Sequence, residues 1–359
     1  MSSVVISPVP LVESKEIVTI VSSDPRGAIT ASPAVDCSPS TQYDGKIFQN
    51  YAECFSEIEL ISNGTSAETW KVRHRGSNRL FVLKKLRLGV RYNRESGVAE
   101  LDISPAKQEK IDREVDILRK LSHDGDGGRC HPGIACYYDR FVFREQVGEI
   151  PAERYGILME YIDGPTLAQL YTSVLKKRET LAIDRFLSLV KSAYEALTYA
   201  HSKGVAHADL KPENVMVTDN GTRAVLVDFG LACYAQGATT EQNRYVCTHV
   251  RGGTPAYQAP EILRAAIDGI SLEANMALKG DVWALACALA ELASGNLLFE
   301  ASGTADMYCQ VKSKPLPAAF YESGDARAAL VNDALERALD RDWKTRPSAA
   351  LTVARLESS

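Results

Sequence analysis

The chain predicts an α+β protein of two lobes, a small β-rich lobe with one main helix followed by a larger, mostly helical one. Three observations carry that expectation. Between residues 55 and 161 short runs of alternating apolar residues are separated by turn-forming residues such as Gly64 and Gly76-Ser77-Asn78, the pattern of strands and hairpins. One helical pattern interrupts them, opening at Ser104-Pro105, where a cap is followed by proline in the first turn. Beyond residue 163 the apolar residues recur mainly at helical spacing.

In chain order, residues 1–50 are rich in Ser, Thr and Pro with little periodicity and read as a mobile extension. Val4-Val5-Ile6 and Ile17 to Val21 are the pieces a docking strand would use, so a docking partner for this tail is the competing reading. Glu57 to Ile61, Thr69 to Arg73 and Leu80 to Leu86 are strand-like, as are Tyr137 to Phe143 and Tyr155 to Tyr161. The helix after Ser104 carries Ile111, Val115 and Leu118 on one face. In the second lobe Asp184 is placed as the cap of a helix with Phe186, Val190, Ala193, Leu197 and His201 on one face, stopping near Gly204. Asp281 to Ser294 is apolar nearly all round and ends at Gly295, which suits a helix central to its lobe. The resulting division is 1–50 extension, 51–162 first lobe and hinge, 163–359 second lobe.

The segment His207-Ala208-Asp209-Leu210-Lys211-Pro212-Glu213-Asn214, with Asp228-Phe229-Gly230 after it, holds the residue types phosphoryl transfer needs. One carboxylate orients a hydroxyl, a lysine offsets charge on the moving phosphate, and an amide and a second carboxylate hold magnesium. Single Asp or Asn residues are usually turn formers, but the joint spacing makes that reading untenable here. Further along stand Gly253-Thr254-Pro255-Ala256-Tyr257-Gln258-Ala259-Pro260-Glu261 and Asp342-Trp343-Lys344-Thr345-Arg346-Pro347.

Motifs of this kind in this order resemble the eukaryotic-type protein kinase family, over roughly residues 55 to 356. The resemblance implies a bilobal kinase fold, ATP and Mg2+ as cosubstrate and metal, and a protein substrate. Asp209 and Lys211 would be catalytic, and Asn214 and Asp228 metal ligands. Lys84 of Phe81-Val82-Leu83-Lys84 would reach the nucleotide phosphates and Glu114 would pair with it. Strand alternation places Lys84 on the Val82 face and Lys85 on the other, where Lys85 is expected to be a solvated charge. Glu114 falls three residues after Ile111 and four before Leu118, so it faces the core and needs a partner. Gly64, Ile61, Thr69, Val82 and Met216 would line the nucleotide, with the Glu160 carbonyl and Ile162 amide reading adenine. Glu261 would pair with Arg346, and Asp281 would anchor the catalytic-loop backbone. Pro212-Glu213 and Gly253-Thr254-Pro255 resemble the serine/threonine branch.

Departures from the pattern matter too. Ser62 and Ala67 replace the outer glycines of the phosphate loop, where glycine lets the backbone approach phosphate. Val82 stands where alanine is common and crowds the adenine site, at a cost on the order of 1 kcal/mol. Ala208 removes the arginine that usually reads a phosphorylated activation segment. Activity independent of that phosphorylation is therefore expected, although Thr239, Thr240, Tyr245 and Thr248 are available as phosphosites. These departures sustain a rival reading, a pseudokinase scaffold or regulator. Against it stand intact Lys84, Asp209, Asn214 and Asp228. A small-molecule kinase is a third reading, which the platform from Gly253 to Glu261 disfavours.

A net charge of −5 gives no basic field for nucleic acid. The longest apolar run, Val282 to Leu289, is too short to span a bilayer, and Met1 to Val12 lacks the basic start of a signal peptide. The eight cysteines include no Cys-x-x-Cys pair and are expected to be free thiols. Cytoplasmic or nuclear placement follows, with secretion by a specialised apparatus as the exception. His123, Cys130, His131 and Cys136 match no common zinc spacing, and their glycines point to a loop.

Overall fold

The computed structural model describes residues 47–48, 51–123, 130–177, 181–236, 245–273 and 275–357. Thr239 and Thr240, and the tail pieces at residues 4–6 and 17–21, lie outside them. The chain divides into two compact units, one of residues 1–105, 126–129 and 137–161, the other of 106–125, 130–136 and 162–359.

The first unit is a sheet of eight strands among the described residues: β1 (Ile47–Phe48), β2 (Phe55–Asn63), β3 (Ala67–His74), β4 (Leu80–Leu86), β5 (Gly89–Asn93), β6 (Val98–Asp102), β7 (Tyr137–Val147) and β8 (Ile150–Glu160). The order is β1-β7-β8-β4-β3-β2, with β6 joining β8 and carrying β5 on its free side. One short helix, α1 (Tyr51–Cys54), precedes β2. Every strand expected from alternation is present, and β4 has the expected bounds. The β5–β6 hairpin is additional. Its first strand is mostly exposed, and the Asn93 side chain closes its turn by accepting from the Glu95 and Ser96 amides.

Alternation sorts β4 into two faces. Phe81 and Leu83 join Tyr51, Phe55, Val72, Phe141, Phe143 and Leu158 in the apolar core, where the Tyr51 and Phe143 rings stack with centroids 4.2 Å apart. Lys85 shares that face, and the expectation of a solvated charge is wrong. It is only 6% exposed and lies between Glu57 at 2.5 Å and Glu145 at 2.7 Å, with the Trp70 ring 5.3 Å away. A buried ammonium persists only when paired, and both carboxylates come from other strands.

The second unit is mostly helical: α2 (Pro105–His123), α3 (Leu167–Lys177), α4 (Ile183–Ser202), α5 (Pro260–Asp268), α6 (Met276–Ser294), α7 (Thr304–Ser313), α8 (Ala326–Ala338) and α9 (Ala349–Leu356). Two small ribbons accompany them, β9 (Val205–Ala206) with β12 (Cys233–Tyr234), and β10 (Val215–Thr218) with β11 (Arg223–Leu226). Helix α2 starts at Pro105 as expected. Helix α4 buries Phe186, Val190, Ala193 and Leu197, but its N-cap is Ala182 and Asp184 lies inside the first turn. Helix α6 begins five residues before the expected Asp281 and ends at Gly295 in the left-handed conformation, φ 68°. Almost all of its side chains are buried, as a central helix requires. No helix among the described residues is long and apolar enough to cross a membrane.

The expected free thiols are also corrected. Cys130 bonds Cys136 and Cys233 bonds Cys247, and Cys54 is disulfide-bonded as well. Cys287 and Cys309 remain thiols. The pairs meet through the fold, which linear spacing does not reveal. With its two cysteines bonded to each other and the His131 ring stacked on Tyr199 at 4.2 Å, the zinc reading has no support. No metal-holding cluster of His, Cys, Asp or Glu occurs among the described residues.

Candidate active site

The catalytic segment runs between β9 and β10, and its backbone is held from below by α6. Asp281, 2% exposed, accepts from the amides of His207 at 2.7 Å and Ala208 at 2.9 Å. It also meets His201 Nε2 at 3.0 Å. Two amides on one carboxylate fix a turn in which Ala208 takes φ 63°, a conformation unusual for a side-chain-bearing residue. The His207 ring contacts the Val227 carbonyl at 2.9 Å and lies 4.6 Å from Phe229. This links the segment to Asp228-Phe229-Gly230.

Three of the sequence-assigned residues converge there. Asp209 Oδ2 lies 3.3 Å from Lys211 Nζ. The Asn214 amide nitrogen donates to the Asp209 carbonyl at 2.8 Å, so its oxygen belongs to the opposite branch of the side chain. Thr254 completes the group. Its amide and hydroxyl both donate to Asp209 Oδ1, at 3.1 and 3.2 Å, and Lys211 Nζ reaches its Oγ1 at 3.4 Å. Sequence reading took Thr254 as a branch marker and did not place it in the site. The available signal was the glycine before it: Gly253 has φ 99°, and a Cβ there would sit 2.8 Å from Gln258 Nε2 and 3.2 Å from the Ala208 carbonyl. A pocket lined by Leu231, Val250, Gly252, Gln258 and Ile262 opens beside Asp209.

Asp228 has φ 60°, and the Val227 amide before it donates to the Asn214 carbonyl at 3.0 Å. Both potential metal ligands thus stand on connected backbone. An amide oxygen and a carboxylate are the hard oxygen donors magnesium takes, so the donor chemistry fits that ion. Met216 lies on β10, half-buried, opposite Val225. Glu114 is buried on α2 beside Val115 and Ile111, as its spacing required.

In the first unit, register pairs Thr69 with Lys84, Lys84 with Ile157, and Val82 with Met159. Directly opposed residues share a face, so Thr69, Val82 and Lys84 line one side of the sheet, away from Lys85. Glu160 ends β8 opposite Phe81, and Ile162 opens the next unit. Ile61 falls at a register shift of β2 and is exposed. The loop bearing Gly64 is closed by the Gly64 amide donating to the Ala67 carbonyl at 3.0 Å. Arg87 grips it as well, donating to the Gly64 carbonyl at 3.1 Å and pairing with Glu68 at 2.9 Å.

The platform following Thr254 is built as expected. Arg346, 1% exposed, makes a two-pronged pair with Glu261 at 2.6 and 3.0 Å. It also donates to the carbonyls of Lys279 and Asp340, each at 2.8 Å. Tyr257 donates to Glu291 at 2.9 Å. Burial pushes the Glu291 carboxyl up to about 7, aided by nearby Glu213 and opposed by the Tyr257 and Leu298 hydrogen bonds.

A β-rich unit, a helical unit and this catalytic segment together have the make-up of a protein kinase domain. The protein kinase domain matches residues 55–355, and the chain belongs to the protein kinase family. It is 26% identical over 302 residues to serine/threonine-protein kinase Nek2 of Homo sapiens, covering 83% of this chain and 58% of that protein. It is 28% identical over 303 residues to a probable serine/threonine-protein kinase PknB of Lactococcus lactis, covering 84% and 40%. Over 244 residues it is 26% identical to Misshapen-like kinase 1 of Rattus norvegicus, covering 68% and 16%. The chain thus spans less than two thirds of the length of these curated relatives.

Proposed function

We propose that the chain is a serine/threonine protein kinase that transfers the ATP γ-phosphate to a protein hydroxyl and needs no phosphate on its activation segment. The observation that carries this is the Asp209 carboxylate, held by Thr254 on one oxygen and by Lys211 near the other. A carboxylate so oriented can accept the hydrogen bond of a substrate serine or threonine hydroxyl and take its proton as the bond to phosphorus forms. Lys211 offsets charge on the transferred group. Asn214 and Asp228 would hold magnesium, which when bound draws charge from the phosphate oxygens. Lys84, paired with Glu114, would steady the nucleotide, with Ile61, Gly64, Thr69, Val82, Met216, Glu160 and Ile162 around it. Serine/threonine preference rests on Pro212-Glu213 and Gly253-Thr254-Pro255, and on similarity to serine/threonine-protein kinases.

The test is radiolabelled phosphate transfer to a general protein substrate, followed by phosphoamino-acid analysis. Asp228→Ala and Asp209→Asn should each lower kcat by about a hundredfold or more. Thr254→Val should lower kcat with little change in the KM for ATP, and Thr254→Ser should restore most of it. Equal signal from wild type and Asp228→Ala would instead support the scaffold reading that Ser62, Ala67 and Val82 favour.

A further inference from the structure

Ala208, small where an arginine would be long, packs against a cluster that contains two cysteines. Cys233, Cys247, Ala206 and Ala277 form a buried apolar cluster, and Ala208, Leu272 and Leu278 pack against it. Cys233 lies on β12, which pairs with Ala206 of β9, the strand that runs into the catalytic segment. Cys247 lies on the far arm of the activation segment, with its Cα 5.2 Å from that of Cys233 and the two joined by a disulfide. Backbone bonds knit the arms together: Tyr234 donates to the Tyr245 carbonyl at 3.0 Å, and Cys247 to the Tyr234 carbonyl at 2.8 Å. The hydroxyl of Tyr234, itself buried, donates to Asp116 of α2 at 2.8 Å, two residues from Glu114. The nearby arginines face backbone, Arg113 toward the Gly230 carbonyl and Arg251 toward that of Val246.

We propose that the Cys233–Cys247 disulfide is the positioning device of this kinase's activation segment, standing where an arginine and a phosphate would otherwise meet. This rests on the kinase reading above. Ala208, half-buried against that cluster, offers no guanidinium to meet a phosphate. Alanine there and cystine across the arms suit each other, and a covalent link does not require a modifying enzyme to form and maintain it. The arm it fastens continues through Gly252 and Gly253 to Thr254, whose two bonds aim Asp209. Cys233 and Cys247 therefore act through Thr254 and not on substrate.

The full chain is assayed oxidised, after dithiothreitol, and after return to oxidised glutathione, with thiols mapped by alkylation and mass spectrometry. Dithiothreitol supplies two electrons and two protons, becoming a cyclic disulfide as the bond opens to two thiols. On return, one cysteine thiolate attacks glutathione disulfide and displaces a glutathione thiolate. The other cysteine then displaces the second. Reduction at Cys233 and Cys247 should lower kcat at least about tenfold with the KM for ATP within about twofold, and reoxidation should restore it. Cys233→Ala/Cys247→Ala should show the lowered kcat and no redox response. Cys130→Ser/Cys136→Ser, which keeps the segment's bond, should respond as wild type does. Phosphatase should leave oxidised activity unchanged. Activity unaltered when both thiols are mapped as reduced, or abolished by phosphatase, overturns the proposal. Proteolysis between residues 248 and 254 is a readout independent of turnover and should quicken on reduction; an unchanged rate also overturns it. Absence of transfer by the oxidised wild type, with proteolysis still redox-dependent, would count against the kinase reading alone.

Discussion

At the scale of single residues, two side chains depart from what their type suggests. Lys85 reads as a surface lysine until β2 and β7 bring Glu57 and Glu145 to it. Glu291 reads as an ordinary helix glutamate until α6 is buried on all sides and its carboxyl rises to about 7. The second has a pH consequence of definite sign. Between about pH 4.5 and 7 the folded chain keeps a proton on Glu291 that the unfolded chain has lost. Stability therefore falls as pH rises through that window and is insensitive to this group above it. Glu291→Gln removes the dependence. The variant is expected to gain on wild type by on the order of 2 kcal/mol between pH 4.5 and 8, read from urea midpoints. A stability difference that stays constant across that range would show that Glu291 titrates normally.

Elements are held to one another by a few buried polar contacts that sequence motifs announced. The expected pair of Glu261 and Arg346 is present and ties the start of α5 to the chain just ahead of α9, with the Lys279 and Asp340 carbonyls completing the shell. Leaving either charge unpaired inside the fold costs more than the pair contributes. Glu261→Gln is expected to destabilise the protein by about 3 kcal/mol or more, and Arg346→Lys by a similar amount because a lysine cannot make the two-pronged bond. Equilibrium urea unfolding measures both. A shift below about 0.5 kcal/mol, the level of an exposed pair, would contradict the buried geometry. Element bounds were less legible. Helix α6 begins before Asp281 because Gly280, which looks like a breaker, lies inside the helix; Gly280 allows close approach to Ile262 of α5.

For the whole molecule, disulfides replace the free thiols expected from scattered cysteines. Bonds such as Cys130–Cys136 and Cys233–Cys247 persist where conditions are oxidising. Alkylation under denaturing conditions, before any reductant, is expected to label Cys287 and Cys309 and to spare Cys130, Cys136, Cys233 and Cys247. Labelling of Cys233 and Cys247 at that stage would remove the basis for a covalently fastened activation segment.

The sequence by itself determined the two-lobe α+β plan, singled out Asp209, Lys211, Asn214 and Asp228 as candidates, and set the face on which Lys84 lies. All of these follow from local periodicity or from spacing within short segments, which chain connectivity enforces. Tertiary structure alone decided the contacts of Thr254, the burial of Lys85, the pairing of the cysteines and the elevated Glu291. Each depends on groups far apart in the chain meeting in a low-dielectric interior, where partners and not residue type set the energy. That is why Ala208, an apparent defect in the motif, becomes intelligible only beside Cys233 and Cys247.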